Sequence, residues 1–274
     1  MLGICLNLCF PVFVLERSPL VLRDLDLLQE INSRAPSVVA FSIISTPESP
    51  HYDDVRKIER NVPPPEERFK AMEKLANSGL LSGTCLMPLL PGLCDNETNL
   101  EAVVRWTARH GGRFVVAGTL TLADQQKDHF LHRISESFPD LIELYGRLYP
   151  SSSYAPRHYS WQRIARRIRA LCKKHGISDR IPRPVNSNDR LAFNKRIVEK
   201  LVVRIHDMEL AQEPEYSIWA YRRAAWAIEE LQEDIRTIYH KMGLDGLKSI
   251  SDVGSLMGER VESFVHELTG EHPV

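Results

Sequence analysis

The fold class of the first half of the chain rests on three stretches. They are SVVAFSIIS at residues 37–45, PPPEERFKAMEKLANSG at residues 63–79 and RFVVAGTLTL at residues 113–122. The first and third are short, rich in β-branched residues and apolar throughout, as expected of strands buried on both faces. The second opens on prolines and early glutamates and closes before Gly79, which are start and stop signals for a helix. Working outward, residues 80–90 form another apolar strand that ends in PLLPG. Residues 96–110 read as a helix closed by Gly111 and Gly112. Residues 12–15 are a short strand, and residues 20–34 place Leu20, Leu25, Leu28 and Ile31 at helical spacing. Strands alternating with helices predict a parallel sheet of about four strands covered by helices.

Beyond residue 122 the periodicity predicts helices over 128–149 and 160–175. The second puts Trp161, Ile164, Ile168 and Leu171 on one face and Arg163, Arg166, Arg167, Arg169, Lys173 and Lys174 on the others. Residues 177–188, with two prolines, read as a linker. From Asp189 onward only helical patterns occur, over 190–211, 217–231, 233–242 and 255–268. The expected division is a first domain at 1–180, a linker at 181–189 and an all-α domain at 190–274.

The 274 residues are 43% hydrophobic and 26% charged, an ordinary globular composition. Five scattered cysteines argue against a disulfide framework and for a reducing, cytoplasmic setting. The apolar run at 1–15 is too short to span a bilayer, and no membrane anchor is expected. The net charge of −1 conceals a strong asymmetry: residues 151–200 carry thirteen basic against three acidic side chains, and residues 201–274 seven against fourteen. A basic block of that density attracts polyanions.

Three stretches of the C-terminal part, NKRIVEKLVVRIHDMEL, YSIWAYRRAAWAIEELQEDI and LKSISDVGSLMGERVESFVHEL, lie within residues 194–268. Together they resemble the small N-terminal domain of family X DNA polymerases, the polymerase-beta type. The resemblance implies a helix-hairpin-helix whose turn, near Gly254 and Ser255, offers backbone N–H groups to a DNA phosphate. Such contacts read no base sequence. Asp252 stands where that family has the first hairpin glycine. Arg260 stands where the family has the lysine that attacks an abasic sugar, and a guanidinium is no amine nucleophile. The implied DNA-binding set is Gly254, Ser255 and Arg260, joined by Arg166, Arg167 and Lys174 of the basic block.

Residues 14–180 contain ERSPLVLRDLDLLQEI, VVAFSIIST, PPPEERFKAMEKLANSG, LMPLLPGLCDNE and GRFVVAGTLTL in order. They resemble the later part of radical SAM proteins related to spore photoproduct lyase. The resemblance implies a partial (β/α) barrel, here with about four strands, and in the family a 4Fe–4S cluster and S-adenosylmethionine. The family holds its cluster with three cysteines spaced C-x3-C-x2-C after the first strand. Cys5 and Cys9 have the first spacing, but the third position is Val12, and the pair precedes the wrong strand. No cofactor is therefore expected in this chain. Arg17, Ser18, Ser42 and Ser45 correspond to the S-adenosylmethionine side and read as vestigial. Glu59 and Arg68 are placed to pair structurally, and His51, His110, His129 and His132 lack ligand spacing.

Three functions compete. One is a DNA-associated protein in repair or metabolism without chemistry of its own. The second is a radical SAM enzyme whose cluster-binding half is missing or separately encoded. The third is a protein-interaction module. Besides DNA, the expected partners are that separate half or a second copy of the chain, through an open strand edge near residues 12–16. Borohydride trapping on abasic DNA is predicted to give no adduct, because Arg260 replaces the nucleophile. An adduct mapping to Lys241 or Lys248 would overturn this.

Overall fold

The computed structural model describes residues 1–150, 153–185 and 189–270. It divides into two compact units, Met1–Pro182 and Arg183–Val274. Residues 186–188 of the expected linker lie outside the described residues.

In the first unit β1 (Val12–Glu16), β2 (Ser37–Ser42), β3 (Leu81–Leu89) and β4 (Val115–Thr119) form one parallel sheet in the order β1-β2-β3-β4. A 3-10 turn (Pro19–Asp24) and α2 (Leu25–Arg34) link β1 to β2. Helices α3 (Tyr52–Ile58) and α4 (Pro65–Asn77) link β2 to β3, and α5 (Glu97–Arg109) links β3 to β4. This is the expected partial α/β architecture. Parallel strands in sequential order, joined by right-handed crossovers, put all connecting helices on one face. The packing agrees: Val39 and Phe41 of β2 and Val12 and Val14 of β1 meet Leu28 of α2 and Phe69, Met72 and Leu75 of α4.

The opposite face carries Val38, Ala40, Cys85 and Phe114, with Leu81, Met87, Val116 and Ile181 against them. Phe114, fully buried, closes that face over Gly83. A Cβ on Gly83 would lie 2.5 Å from the Phe114 carbonyl oxygen and 2.7 Å from its ring, so only glycine admits the plug.

The chain then runs through α6 (Asp124–Ser137), a 3-10 turn (Pro139–Leu141), α7 (Ile142–Leu148) and α8 (Trp161–Lys174). The single helix expected over 128–149 is thus two. Phe138 leaves helical geometry at φ −143° because the residue before a proline is driven out of the α region. The apolar N-terminal run also splits: residues 2–7 form α1 (Leu2–Asn7), Cys9 turns the chain at φ +50°, and β1 follows. Leu2 joins the core beneath α2.

The second unit consists of α9 (Ala192–Leu210), α10 (Glu215–Glu229), α11 (Ile235–Lys248) and α12 (Gly254–Thr269). Its core includes Ile197, Leu201, Ala224, Ile228, Ile235, Leu247 and Val261. Buried Asn194 ties α9 to the start of α11: it accepts from the Ile235 N–H at 2.8 Å and donates to the Glu233 carbonyl at 2.9 Å. The helix expected over 233–242 continues to Lys248, interrupted at Gly243 (φ 57°, ψ −146°). Glycine alone adopts that conformation readily, so one helical pattern can bend and resume. No helix among the described residues is long and apolar enough to cross a membrane.

The sheet edges differ. Outside β4, the Val115 N–H donates to the Ser178 carbonyl and the Ser178 N–H to the Arg113 carbonyl, both at 2.9 Å. Outside β1, no strand pairs among the described residues. Phe13 and Leu15 of β1 are each 50% exposed, and Leu8 and Phe10, just before β1 in sequence, are also exposed. Open apolar edges recruit further strands. Sedimentation is predicted to show self-association of the isolated chain, and Phe13→Lys to shift it toward monomer. A wild-type monomer at tens of micromolar would refute this.

Candidate nucleic-acid interface

The connection from α11 to α12 is only Ser249–Val253. The Val253 N–H closes it by donating to the Ile250 carbonyl at 3.1 Å, and Ile250 and Val253 are buried in the core below. Two residues, Asp252 at φ +58° and Gly254 at φ +54°, take the left-handed conformation. The turn takes positive φ at residue 252, and aspartate is one of the few residues besides glycine that tolerates it. No side chain caps α12. Among the described residues the N–H groups of Gly254, Ser255 and Leu256 have no acceptor, and all three residues are exposed. They form a cluster of free donors at the positive end of a 16-residue helix.

Arg260, one and a half turns further on, is exposed, and its guanidinium has no partner among the described residues. Asp252 adds a carboxylate beside the donors; its Oδ1 lies 3.6 Å from Nε of Arg223 of α10, which offsets the charge. Gly258 lets α12 approach α11 closely, its missing Cβ falling 2.8 Å from the Lys248 side chain. Tyr239 of α11 donates from its hydroxyl to Glu262 of α12 at 3.0 Å, which further fixes the two helices.

The basic helix α8 belongs to the other unit and stands by itself. Ile164, Ile168 and Leu171 are buried, and the charged residues line the open side as expected. The six cations are not equivalent. Arg167 pairs with Glu97 and Lys174 with Glu101, both on α5, while Arg169 pairs with Asp179. Arg163, Arg166 and Lys173 keep exposed charges with no partner among the described residues, and their spacing puts them on one stripe of the helix. The neutralising role of Glu97 and Glu101 was invisible in sequence, because it arises from packing α8 against α5. The only clue was an i, i+4 pair of carboxylates on an amphipathic helix.

Near the C-terminal ends of the strands, two of the four residues expected on the S-adenosylmethionine side have engaged side chains. Ser18 accepts from the Leu20 N–H at 3.2 Å, capping the first 3-10 turn, and Ser42 donates to the Met87 carbonyl at 3.0 Å. Arg17 is exposed. Ser45 is buried and its hydroxyl lacks a partner. Glu59 and Arg68 pair as anticipated, at 2.8 Å.

The cysteines do not suit a cluster. Cys5 lies on α1 and Cys9 just after it, before the N-terminal end of β1 and so at the opposite end of the sheet from Ser18 and Ser42. Burial pushes the thiols of Cys85 up to about 11 and of Cys94 and Cys172 up to about 12, which disfavours the thiolates that ligate iron. Among the described residues no three His, Cys, Asp or Glu side chains are grouped to hold a metal ion.

Comparison with protein-family models, with curated proteins and with solved structures gave no match to this chain.

The cysteine placement predicts that anaerobic reconstitution of the isolated chain yields far less than stoichiometric iron and no broad visible absorption. A stoichiometric cluster that Cys5→Ala with Cys9→Ala abolishes would overturn this.

Proposed function

We propose that this chain is a DNA-associated protein of repair or metabolism, working in the reducing cytoplasm, that holds nucleic-acid backbone without base preference. On this reading the turn 249–254 with its two helices is a helix-hairpin-helix. It is joined to a radical SAM-like partial (β/α) barrel without the cluster loop. The observation that carries the proposal is the exposed trio of N–H groups at Gly254, Ser255 and Leu256, without acceptors among the described residues and set by left-handed Asp252 and Gly254 on either side of Val253. A phosphate oxygen is the natural acceptor for such a trio, since backbone donors at a helix start favour an anion and discriminate none of the bases.

Arg260 on the same helix supplies a permanent charge beside the site. On the first unit, Arg163, Arg166 and Lys173 offer a second, separate stripe for the polyanion. No reaction step is assigned, because the residues present do not suit the cluster on which the related enzymes rely.

A second reading is favoured by the edge of β1, which no strand pairs among the described residues. In it the chain is one part of a radical SAM enzyme, and a separate polypeptide adds strands to that edge together with the cluster ligands. Co-purification of a separately encoded partner that confers iron binding would select this reading over the first.

Fluorescence anisotropy with labelled duplex at rising salt tests the first reading. Gly254→Val forces a β-branched residue into the left-handed region and should weaken binding about tenfold on every sequence, as expected for loss of charge-assisted hydrogen bonds. Arg166→Ala should reduce the slope of log K against log salt by about 0.9. Arg167→Ala and Lys174→Ala, whose charges are engaged by α5, should reduce it less. Absence of binding to duplex, nicked and single-stranded DNA at low salt refutes the reading.

A further inference from the structure

The second unit has a pocket of about 660 Å³ between α10, the first half of α11 and the turn residues 249–252. Its volume lies in the ordinary range for small-ligand sites. Leu231, Ile238, Met242 and Ile250 supply apolar lining, and Trp226 of α10 stands at its side. Trp226 is 55% exposed, an unusual position for the largest apolar side chain on a helix whose Ala224, Ala225 and Ile228 are buried. Trp219, one face-repeat earlier, meets it edge-on at 5.9 Å and 68°, which restrains the indole.

The charges around the pocket largely cancel. Arg223 faces Asp252 at 3.6 Å, and Glu233 is paired with Lys241 at 2.7 Å, leaving Glu230 as the uncompensated group. A phosphate is therefore unwelcome inside, whereas a flat neutral group with N–H donors suits both the indole and Glu230. The turn that forms one wall is the turn whose free N–H groups begin two residues later, at Gly254. Consecutive Cα atoms lie about 3.8 Å apart, so Gly254 is at most about 7.6 Å along the chain from the wall residue Asp252.

We propose that this pocket takes one unpaired nucleobase of single-stranded DNA, stacked on Trp226, beside the phosphate bound by the turn. The inference rests on the reading of that turn as a backbone site and adds to it a preference for unpaired over fully paired strands. Aromatic platforms next to backbone contacts bind bases of any identity, because each base has a π-face.

The test uses the full chain with a labelled 20-nucleotide single strand and the blunt duplex of the same sequence. The wild type should bind the single strand more tightly. Trp226→Ala should weaken single-strand binding about tenfold and leave duplex binding nearly unchanged. Trp226→Phe should recover most of the loss, which a purely structural role for the indole would not require. The single strand should also quench tryptophan emission in the wild type and much less in Trp226→Phe, a readout that does not depend on the alanine variant folding. Equal affinity for both DNAs, with no effect of Trp226→Ala and no quenching, overturns the pocket and leaves the backbone reading standing. No binding to either DNA overturns both.

Discussion

The first unit depends on a charge that has no water around it. Arg68 of α4 is completely buried, yet its guanidinium is engaged at three places: the Glu59 carboxylate, the Pro63 carbonyl at 3.1 Å and the Ser42 carbonyl. One side chain thus ties the C-terminal end of β2, the residue that caps α3 and the entry of α4. Glu59 is 6% exposed and has a second cation, Arg56, at 3.9 Å. Such a pair adds little net stability relative to an apolar filling, but leaving either partner alone costs about 3–5 kcal/mol. Its value is geometric: it sets where β2 stops and where α4 begins.

Much of this unit was legible because its strands are short, apolar and bounded by strong breakers. Residues 37–45 and 113–122 could hardly be anything but buried strands, although each proved shorter than its apolar run. The surplus residues, such as Ile43 and Ile44, are fully or nearly fully buried in the loop that follows β2 rather than in the ladder. Apolar character reports burial, and only indirectly pairing. The break at Pro139 was readable in principle from the proline alone, and Gly243 likewise, but uninterrupted helical spacing on both sides masked them. What no single-sequence pattern could supply was the pairing of Arg167 and Lys174 with α5, or the conversion of a tryptophan inside AYRRAAWAIEEL into a pocket wall. Both are contacts between elements distant in sequence.

The charge asymmetry along the chain takes on a different meaning once its members are placed. The excess of cations in residues 151–200 is partly consumed by carboxylates outside that block, Glu97 and Glu101 in the first unit and Glu229 and Glu267 in the second. What remains open on α8 is a narrow stripe of three cations. In the second unit, rich in carboxylates, the donors available to an anion are mainly uncharged backbone groups focused at one helix end. Under the proposed reading, recognition would depend on geometry more than on bulk charge, and Gly254 and Asp252 would matter more than the net charge of the segment they belong to.

The unequal edges of the sheet have a consequence for the size of any assembly. A sheet open on both sides can be extended without limit, each added copy exposing a fresh edge, and that is the route to fibres. Here the start of β4 is bridged by the chain's own Ser178, whereas outside β1 no strand pairs among the described residues. Two copies that met there about a twofold axis would use up both open edges at once. In an assembly of that kind the first pairing would also be the last, and edge-to-edge growth through β1 would stop at two.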